Sequence, residues 1–322
     1  MVASMGLAWY SANTVYNLTN KMLFNTWSCP WTVTAIHLSY AALYSLISWG
    51  LQAAGVPGSA SMLAGRRPRS GRIPGALAPI VVAHGLGHIC TQVSMAAVAV
   101  SFSTTIKAAE PLIYVGLSSY LLGLSYATPV LLSLVPIIAG VGIASFTEAT
   151  FSAVGFCGAM ASNVLYAFRA VASKSLASEE SEGGGEALSP LTTYGLVSCG
   201  AAPFAIAAAL WQEAGKAQAT LPLAIDAAGG PAQFALLLFG SCALFHLDNQ
   251  LSFAVLNYVS AVTHGVASAG KRMFTIVVSI IVFRNPISAL NCIGMSIAMA
   301  GVLAYNYLLP RYPPKRKRIA SA

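Results

Sequence analysis

Two adjacent cations, Lys271 and Arg272, lie near the middle of an apolar stretch that covers residues 263–283. A third cation, Lys107, lies in another apolar stretch earlier in the chain. The planar guanidinium of arginine matches two phosphate oxygens, and the ammonium group of lysine adds a compact charge. Together the three side chains suit a dianionic phosphate, provided that the fold brings their elements together.

The composition indicates that these elements cross a membrane. Hydrophobic residues make up 57% of the 322 residues and charged residues only 8%, whereas about a quarter of an ordinary soluble domain is charged. A helix needs about 20 apolar residues to cross about 30 Å of hydrocarbon. Ten such runs occur, and we expect an all-α membrane protein with ten transmembrane helices near 4–22, 31–54, 75–97, 101–122, 127–146, 151–175, 189–211, 231–257, 259–283 and 286–308.

Ionisable residues inside these runs are costly. By insertion scales, each cation at a helix centre costs about 2.5 to 3.5 kcal/mol, so three cost on the order of 10 kcal/mol. Internal ion pairing, which would only lock helices together, is the alternative to a ligand. Four cations in these runs, Lys107, Arg169, Lys271 and Arg272, exceed the two acids, Glu110 and Asp248, and this excess favours an anionic ligand. The ionisable residues at membrane depth are Lys107, Glu110, Arg169, Asp248, Lys271 and Arg272, with His84, His88, His246 and His264.

The remaining charges predict an orientation. Ten spans place both termini and the second loop on one side, and Lys216 and Arg284 on the other. The positive-inside bias assigns the first side to the cytoplasm-like face, and the net charge of +8 then needs no nucleic acid to explain it. The basic residues of the first side are Arg66, Arg67, Arg69, Arg72, Lys174, Arg311, Lys315, Arg316, Lys317 and Arg318.

The chain shows a weak internal repeat. VSFST at 100–104 and VSAVT at 259–263 begin two of the runs, and AGV at 139–141 recurs at 300–302, in each case about half a chain later. Five spans per half is an odd number, so the second half inserts inverted, as in many secondary transporters. We expect one transporter domain with halves at 1–150 and 151–310, a flexible, acidic, Gly-rich connector at 178–189, near the middle of the chain, and a basic tail at 311–322. A cationic pocket between the halves follows.

The third and fourth runs carry further polar groups. His84 and His88 stack on one helix face, with Thr91 beyond them. They either bind a metal, pack as core histidines, or recognise an anionic or hydroxylated ligand. Glu110 precedes Pro111, which removes a backbone hydrogen bond and can open the helix to form a gate. Six widely separated cysteines without C-x-x-C spacing indicate buried apolar residues rather than a metal site, and we expect no metal and no cofactor.

Three segments carry a family resemblance: WYSANTVYNLTNK with CPWT, GHICTQVSMAAVAVSFSTTIKAAEP, and DNQLSFAVLNYVSAVTHGVASAGKR. They resemble the plastid triose-phosphate/phosphate translocators of the drug/metabolite transporter superfamily. The resemblance covers nearly the whole chain. It implies ten helices in two inverted five-helix repeats, and a strict exchange of inorganic phosphate for phosphorylated three-, five- or six-carbon compounds.

The resemblance also assigns residues. The phosphate-binding cations of the family match Lys107, Lys271 and Arg272, and its substrate-contacting histidine matches His88. The hydroxyl residue typical of the triose-phosphate branch matches Thr91; other branches tend to have alanine there, or asparagine in place of the histidine. These matches favour triose phosphate and 3-phosphoglycerate.

One position departs from the family pattern. Asp248 stands where the family usually has a tyrosine. An ionised carboxylate would repel phosphate, so Asp248 either belongs to the substrate site in another role or pairs with Arg272 or Lys271. The preferred substrate therefore stays open.

The functional hypothesis is an antiporter in the inner envelope membrane of a plastid. It exchanges phosphate for triose phosphate or 3-phosphoglycerate by alternating access, as a monomer or weak dimer in the lipid bilayer. The alternatives are a nucleotide-sugar transporter of the endomembrane system, or a translocator preferring phosphoenolpyruvate or sugar phosphates. A membrane-embedded enzyme is disfavoured because Glu110 and Asp248 lie on different helices among cations and supply neither a nucleophile nor a carboxylate pair.

Overall fold

The computed structural model describes residues 2–56, 75–182, 189–256, 258, 261–285 and 287–316. Twelve helices account for most of these residues. They are α1 (Val2–Thr26), α2 (Pro30–Ala53), α3 (Ala78–Ala97), α4 (Val100–Ile106), α5 (Glu110–Leu121), α6 (Thr128–Leu132), α7 (Leu134–Phe146), α8 (Ala153–Glu182), α9 (Pro190–Ala227), α10 (Pro231–Leu256), α11 (Ala261–Phe283) and α12 (Ala289–Leu308). Short 3-10 turns lie at Gly75–Leu77 and Lys107–Ala109.

This architecture agrees with the prediction of an all-α membrane protein. Six segments of the described residues are long and apolar enough to cross a membrane: Ala78–Ala97, Thr128–Phe146, Ala153–Ser173, Leu191–Ala227, Pro231–Ser252 and Ala289–Leu308. The helices α1, α2, α5 and α11 are not among these six. The count of ten transmembrane helices stays a prediction.

Several of the predicted features fall wholly or partly outside the described residues. These are Arg66, Arg67, Arg69 and Arg72, the connector residues 183–188, Val259 and Ser260 of the second repeat segment, the side chain of His264, and residues 317–322. The first part of the predicted connector is not a loop, because α8 continues to Glu182.

Helices from the two halves of the chain pack against each other. α1 contacts α10 and α11, α2 contacts α9, and α3 contacts α8. In addition, α4 contacts α11, and α7 contacts α12. The interfaces are therefore formed by elements that are distant in sequence, and the center of the bundle contains residues from both halves.

The helix that contains the seventh predicted run, α9, is much longer than that run. The apolar run ends at residue 211, but α9 continues to Ala227. Its extension holds the connection between α1 and α2. The Glu213 carboxylate accepts hydrogen bonds from the backbone N–H of Thr32 at 2.9 Å and from its hydroxyl at 3.1 Å. Lys216 Nζ donates to the Ser28 carbonyl at 2.5 Å. Trp27 Nε1 donates to the Thr220 hydroxyl at 3.1 Å. A carboxylate suits the N-terminus of α2, where backbone N–H groups lack helical partners.

The ends of the bundle agree with the predicted placement of the charged loops. Phe283, beside Arg284, packs in the same apolar cluster as Trp27 and Ala217, so Arg284 and Lys216 lie at one end. The two-residue strands β1 (Leu124–Ser125) and β2 (Lys315–Arg316) pair antiparallel. That pairing joins the C-terminal segment to the connection between α5 and α6.

Glycines allow α7 and α12 to approach closely. A Cβ atom added to Gly140 would collide with the Ala298 backbone, and one added to Gly294 would lie 2.6 Å from the Ala144 nitrogen. A Cβ at Gly301 would lie 2.8 Å from the Ile137 nitrogen. Gly140 and Gly301 belong to the two AGV segments, and each faces the other helix. Small residues permit such contacts between membrane helices.

We predict that Gly140→Ala destabilises the protein, because the added methyl group meets backbone rather than a flexible side chain. The expected cost is about 1–3 kcal/mol, typical of overpacking. Gly142→Ala is the matched control, since the position on the same helix is open. Melting temperatures of the detergent-solubilised proteins measure the effect, and equal values for the two variants would contradict this packing.

Candidate anion-binding site

The fourth apolar run is broken at Lys107. Pro111 has no N–H group, so the carbonyl of Lys107, four residues earlier, loses its α-helical donor. Instead it accepts from the backbone N–H of Glu110 in a 3-10 turn and from Arg272 Nη1 at 2.6 Å. The neighbouring Ile106 carbonyl accepts from Asn163 Nδ2 at 2.9 Å. The helix opens where the proline indicates, and side chains from α8 and α11 bind the released carbonyls.

Two of the buried cations have carboxylate partners. Lys271 Nζ lies 3.2 Å from Asp248 Oδ1, and Arg272 Nη2 lies 2.5 Å from Glu110 Oε2. The remaining Asp248 oxygen accepts from Asn13 Nδ2 at 3.0 Å. Of the two partners left open for Asp248, the structure selects Lys271, and the internal pairing considered as an alternative is present for these two cations.

Lys271 and Arg272 point to different neighbours, as expected for side chains about 100° apart on a helix. Lys271 Nζ lies 4.3 Å from the center of the Trp9 ring on α1. Arg272 instead reaches the 3-10 turn between α4 and α5. The structure thus brings Arg272 to Lys107, and places Lys271 on the adjoining side with α1 and α10.

Within the part of the chain that the structure describes, Lys107 and Arg169 have neutral partners instead of carboxylates. Lys107 Nζ donates to the Thr91 hydroxyl at 2.9 Å, and Arg169 Nη1 lies 2.8 Å from His84 Nδ1. Among the described residues, no carboxylate lies within 4.0 Å of either cation. Both lie near the Tyr166 ring, with Lys107 Nζ 5.7 Å and Arg169 Cζ 5.0 Å from its center. The excess positive charge therefore lies around one aromatic ring.

His88 belongs to a buried polar cluster. Its ring stacks on Phe245 with centers 4.4 Å apart, and its Nε2 lies 3.4 Å from both His37 Nδ1 and Gln92 Nε2. His37 in turn lies 3.0 Å from the Ser241 hydroxyl. None of the described hydrogen bonds joins His88 to a cation; its described partners are His37 and Gln92, and it lies about one helical turn before Thr91 on α3.

Sequence reasoning missed several of these residues. His37, Gln92 and Tyr166 are polar residues in apolar runs, the same signal that singled out His88. Lys21 was also missed; its Nζ donates to the carbonyls of Met95 at 3.0 Å and Val98 at 2.8 Å, at the C-terminal end of α3. Helix C-terminal carbonyls attract cations, so Lys21 has a partner of a different kind.

The described part of the chain offers no cluster of three or more His, Cys, Asp or Glu side chains that could hold a metal ion. His84 and His88 lie on one face, as the spacing predicts, but each contacts different groups. His84 contacts Arg169, and His88 contacts the cluster around Phe245.

Fold and site together define a multi-pass helical membrane protein with a cation-rich center. The model of the Triose-phosphate Transporter family matches residues 1–306, and the chain belongs to this family, which confirms the resemblance. A chloroplastic triose phosphate/phosphate translocator of Zea mays is 36% identical over 96% of this chain and 71% of the relative. The chloroplastic phosphoenolpyruvate/phosphate translocator 3 of Oryza sativa subsp. japonica is also 36% identical, over 98% of this chain and 76% of the relative.

One solved crystal structure of a protein is similar in fold. It aligns with a TM-score of 0.50 and 15% identity, covering 99% of each chain. At this identity the likeness concerns the fold alone.

We predict that Pro111→Ala slows transport several-fold. The new N–H group bonds to the Lys107 carbonyl, competes with Arg272 and closes the helix break. The melting temperature should not fall, because the helix gains a hydrogen bond and a better helix former. Initial rates of phosphate uptake into proteoliposomes measure the effect.

Pro129→Ala is the control. Pro129 lies in the first turn of α6, where an N–H group has no intrahelical acceptor, so this variant should behave as wild type. Wild-type transport by Pro111→Ala would remove the break from the gating mechanism.

Proposed function

We propose that this protein is an antiporter that exchanges inorganic phosphate for triose phosphate or 3-phosphoglycerate across the inner envelope membrane of a plastid. The observation that carries the proposal is Lys107, a membrane-depth cation without a carboxylate partner among the described residues, whose own carbonyl binds Arg272. The family and the names of the Zea mays and Oryza sativa relatives support phosphate-linked transport in chloroplasts.

In this proposal the phosphate group binds Lys107, Lys271 and Arg272. Lys107 is available without breaking an ion pair. The other two cations exchange a carboxylate for phosphate oxygens, and their side chains are 12% and 21% exposed, which leaves them accessible to an anion. Thr91, already bonded to Lys107, lies where it can contact the organic part of the substrate, and His88 lines the same helix face.

Alternating access requires two related halves, and the packing pattern supports them. We infer ten transmembrane helices in two inverted five-helix repeats, with halves at 1–150 and 151–310. Exchanging the halves maps the contact of α1 with α10 onto that of α8 with α3. The contacts of α2 with α9, of α4 with α11 and of α7 with α12 each map onto themselves. An approximate twofold relation produces this pattern, and inverted repeats provide two alternating gates.

Counter-exchange follows from the charges. Glu110 and Asp248 neutralise two cations internally, but Lys107 and Arg169 have no such counter-ion among the described residues. Closing both gates over them without an anion would bury uncompensated charge, at several kcal/mol each. A bound phosphate dianion supplies the missing charge. The empty carrier therefore crosses slowly, and no sodium or proton is required.

Substrate preference depends on Thr91, His88 and Asp248. The first two favour triose phosphate and 3-phosphoglycerate through the family resemblance. Asp248 neutralises Lys271, which lowers the positive charge on one side of the site. The phosphoenolpyruvate/phosphate translocator of Oryza sativa is as similar to this chain as the Zea mays relative, so phosphoenolpyruvate is the second candidate substrate.

We predict that dihydroxyacetone phosphate and 3-phosphoglycerate inhibit uptake of labelled phosphate into phosphate-loaded proteoliposomes at concentrations similar to those of phosphate itself. Glucose 6-phosphate and phosphoenolpyruvate should need at least about tenfold more, corresponding to about 1.4 kcal/mol. Asp248→Asn, tested in parallel, shows whether the carboxylate determines the ranking.

A nucleoside monophosphate is tested as a further competitor in the same uptake assay. If it is the strongest competitor, the protein is a nucleotide-sugar transporter and the proposal is wrong. Stronger competition by phosphoenolpyruvate than by triose phosphate would keep phosphate exchange but reject the preferred substrate.

A further inference from the structure

We propose that Arg169 and His84 form a second oxyanion-binding position, which holds the transported phosphate group on its way to or from Lys107. The inference rests on the proposed function, since it assumes that a phosphate group passes through the bundle. It adds a binding position on α8 and α3 to the site around Lys107.

Arg169 has the capacity to bind an anion. Its guanidinium is permanently charged and carries five N–H donors. The contacts described for it are His84 at 2.8 Å and the Tyr166 ring at 5.0 Å. No carboxylate within the described ranges neutralises it, and the side chain is only partly buried, so donors remain for an oxyanion.

His84 supplies an oriented donor. Its side chain is 3% exposed, and its Nε2 atom has no hydrogen-bond partner among the described residues. Because Nδ1 accepts from Arg169, the proton of the neutral ring lies on Nε2. A buried donor without a partner costs about 1–3 kcal/mol, and an oxyanion bound beside Arg169 would satisfy it.

A second buried histidine lies near this position. His246 is 4% exposed, and neither ring nitrogen has a partner among the described residues. The ring centers of His246 and Tyr194 lie 5.8 Å apart. The ring centers of Tyr194 and His84 lie 6.4 Å apart. Polar groups able to bind an anion therefore continue beyond His84, on α9 and α10.

The position is close to the first one. His84 precedes His88 by one helical turn, about 6 Å along α3. Arg169 and Lys107 approach the same Tyr166 ring, so an anion leaving one cation reaches the other along this ring. Two dianions at this separation repel each other, so the positions are occupied in turn rather than together.

A purely structural role makes a different prediction. If Arg169 only anchors α8 to α3 through Tyr166 and His84, its replacement lowers stability but leaves the affinity for phosphate unchanged. Stability and phosphate binding must therefore be measured on the same variants.

The test is equilibrium binding of labelled inorganic phosphate to the purified full chain in detergent, with the melting temperature recorded for each variant. Lys107→Gln should weaken binding at least about tenfold but leave weak, saturable binding at Arg169. Adding Arg169→Gln, or His84→Phe, should abolish that residual binding, whereas adding Arg169→Lys should preserve it. Lys216→Gln, at the end of the bundle, should bind as wild type.

The outcomes separate the two proposals. Residual binding in Lys107→Gln that survives both Arg169→Gln and His84→Phe would overturn the second position, as would the absence of any residual binding. Unchanged binding in Lys107→Gln would instead contradict the central site of the proposed function. If Arg169→Gln fails to fold, His84→Phe and Arg169→Lys in the Lys107→Gln background serve as the test. Loss of residual binding with His84→Phe and its retention with Arg169→Lys would support the second position.

Discussion

The excess of buried positive charge at the center of the bundle is the constraint on which the rest depends. Within the predicted spans, the four cations Lys107, Arg169, Lys271 and Arg272 outnumber the two acids Glu110 and Asp248. The structure resolves the mismatch unequally, because it pairs Lys271 and Arg272 and leaves Lys107 and Arg169 beside the neutral partners Thr91, His84 and Tyr166. Charges of this kind are costly in a low-dielectric environment, and in the proposed function an anion balances them.

The backbone takes part in this arrangement. Pro111 releases the carbonyl of Lys107, and Arg272 binds it, so Lys107 contributes both its ammonium group and its main chain to the same center. α11 is thereby attached to the break between α4 and α5, at the interface of the two halves. In the proposed alternating-access mechanism, a movement of either half would change the contact between Arg272 and Lys107 and so couple the position of the helices to the charge at the site.

Much of this could be predicted from the sequence, because the cost of burying a charge or interrupting a helix is a local property. The excess of cations, the helix break at Pro111 and a pairing partner for Asp248 follow from residue types and their placement in apolar runs. The partners that depend on packing could not be predicted. Tyr166 approaches Lys107 because α8 packs against the 3-10 turn that follows α4. The contact of Glu213 with the N-terminus of α2 likewise depends on how α9 packs against α2. Residues 212–227 are rich in alanine, a strong helix former, and that signal could have indicated the extension.

The requirement for an anion is tested most directly by uptake of labelled phosphate into proteoliposomes that contain either internal phosphate or an impermeant, unrelated buffer. If Lys107 and Arg169 must be neutralised before the carrier closes, uptake is rapid only in vesicles with internal phosphate and falls to the level of protein-free vesicles without it. Equal initial rates in both kinds of vesicle would show that the empty carrier crosses freely, and would contradict the proposed role of the buried cations.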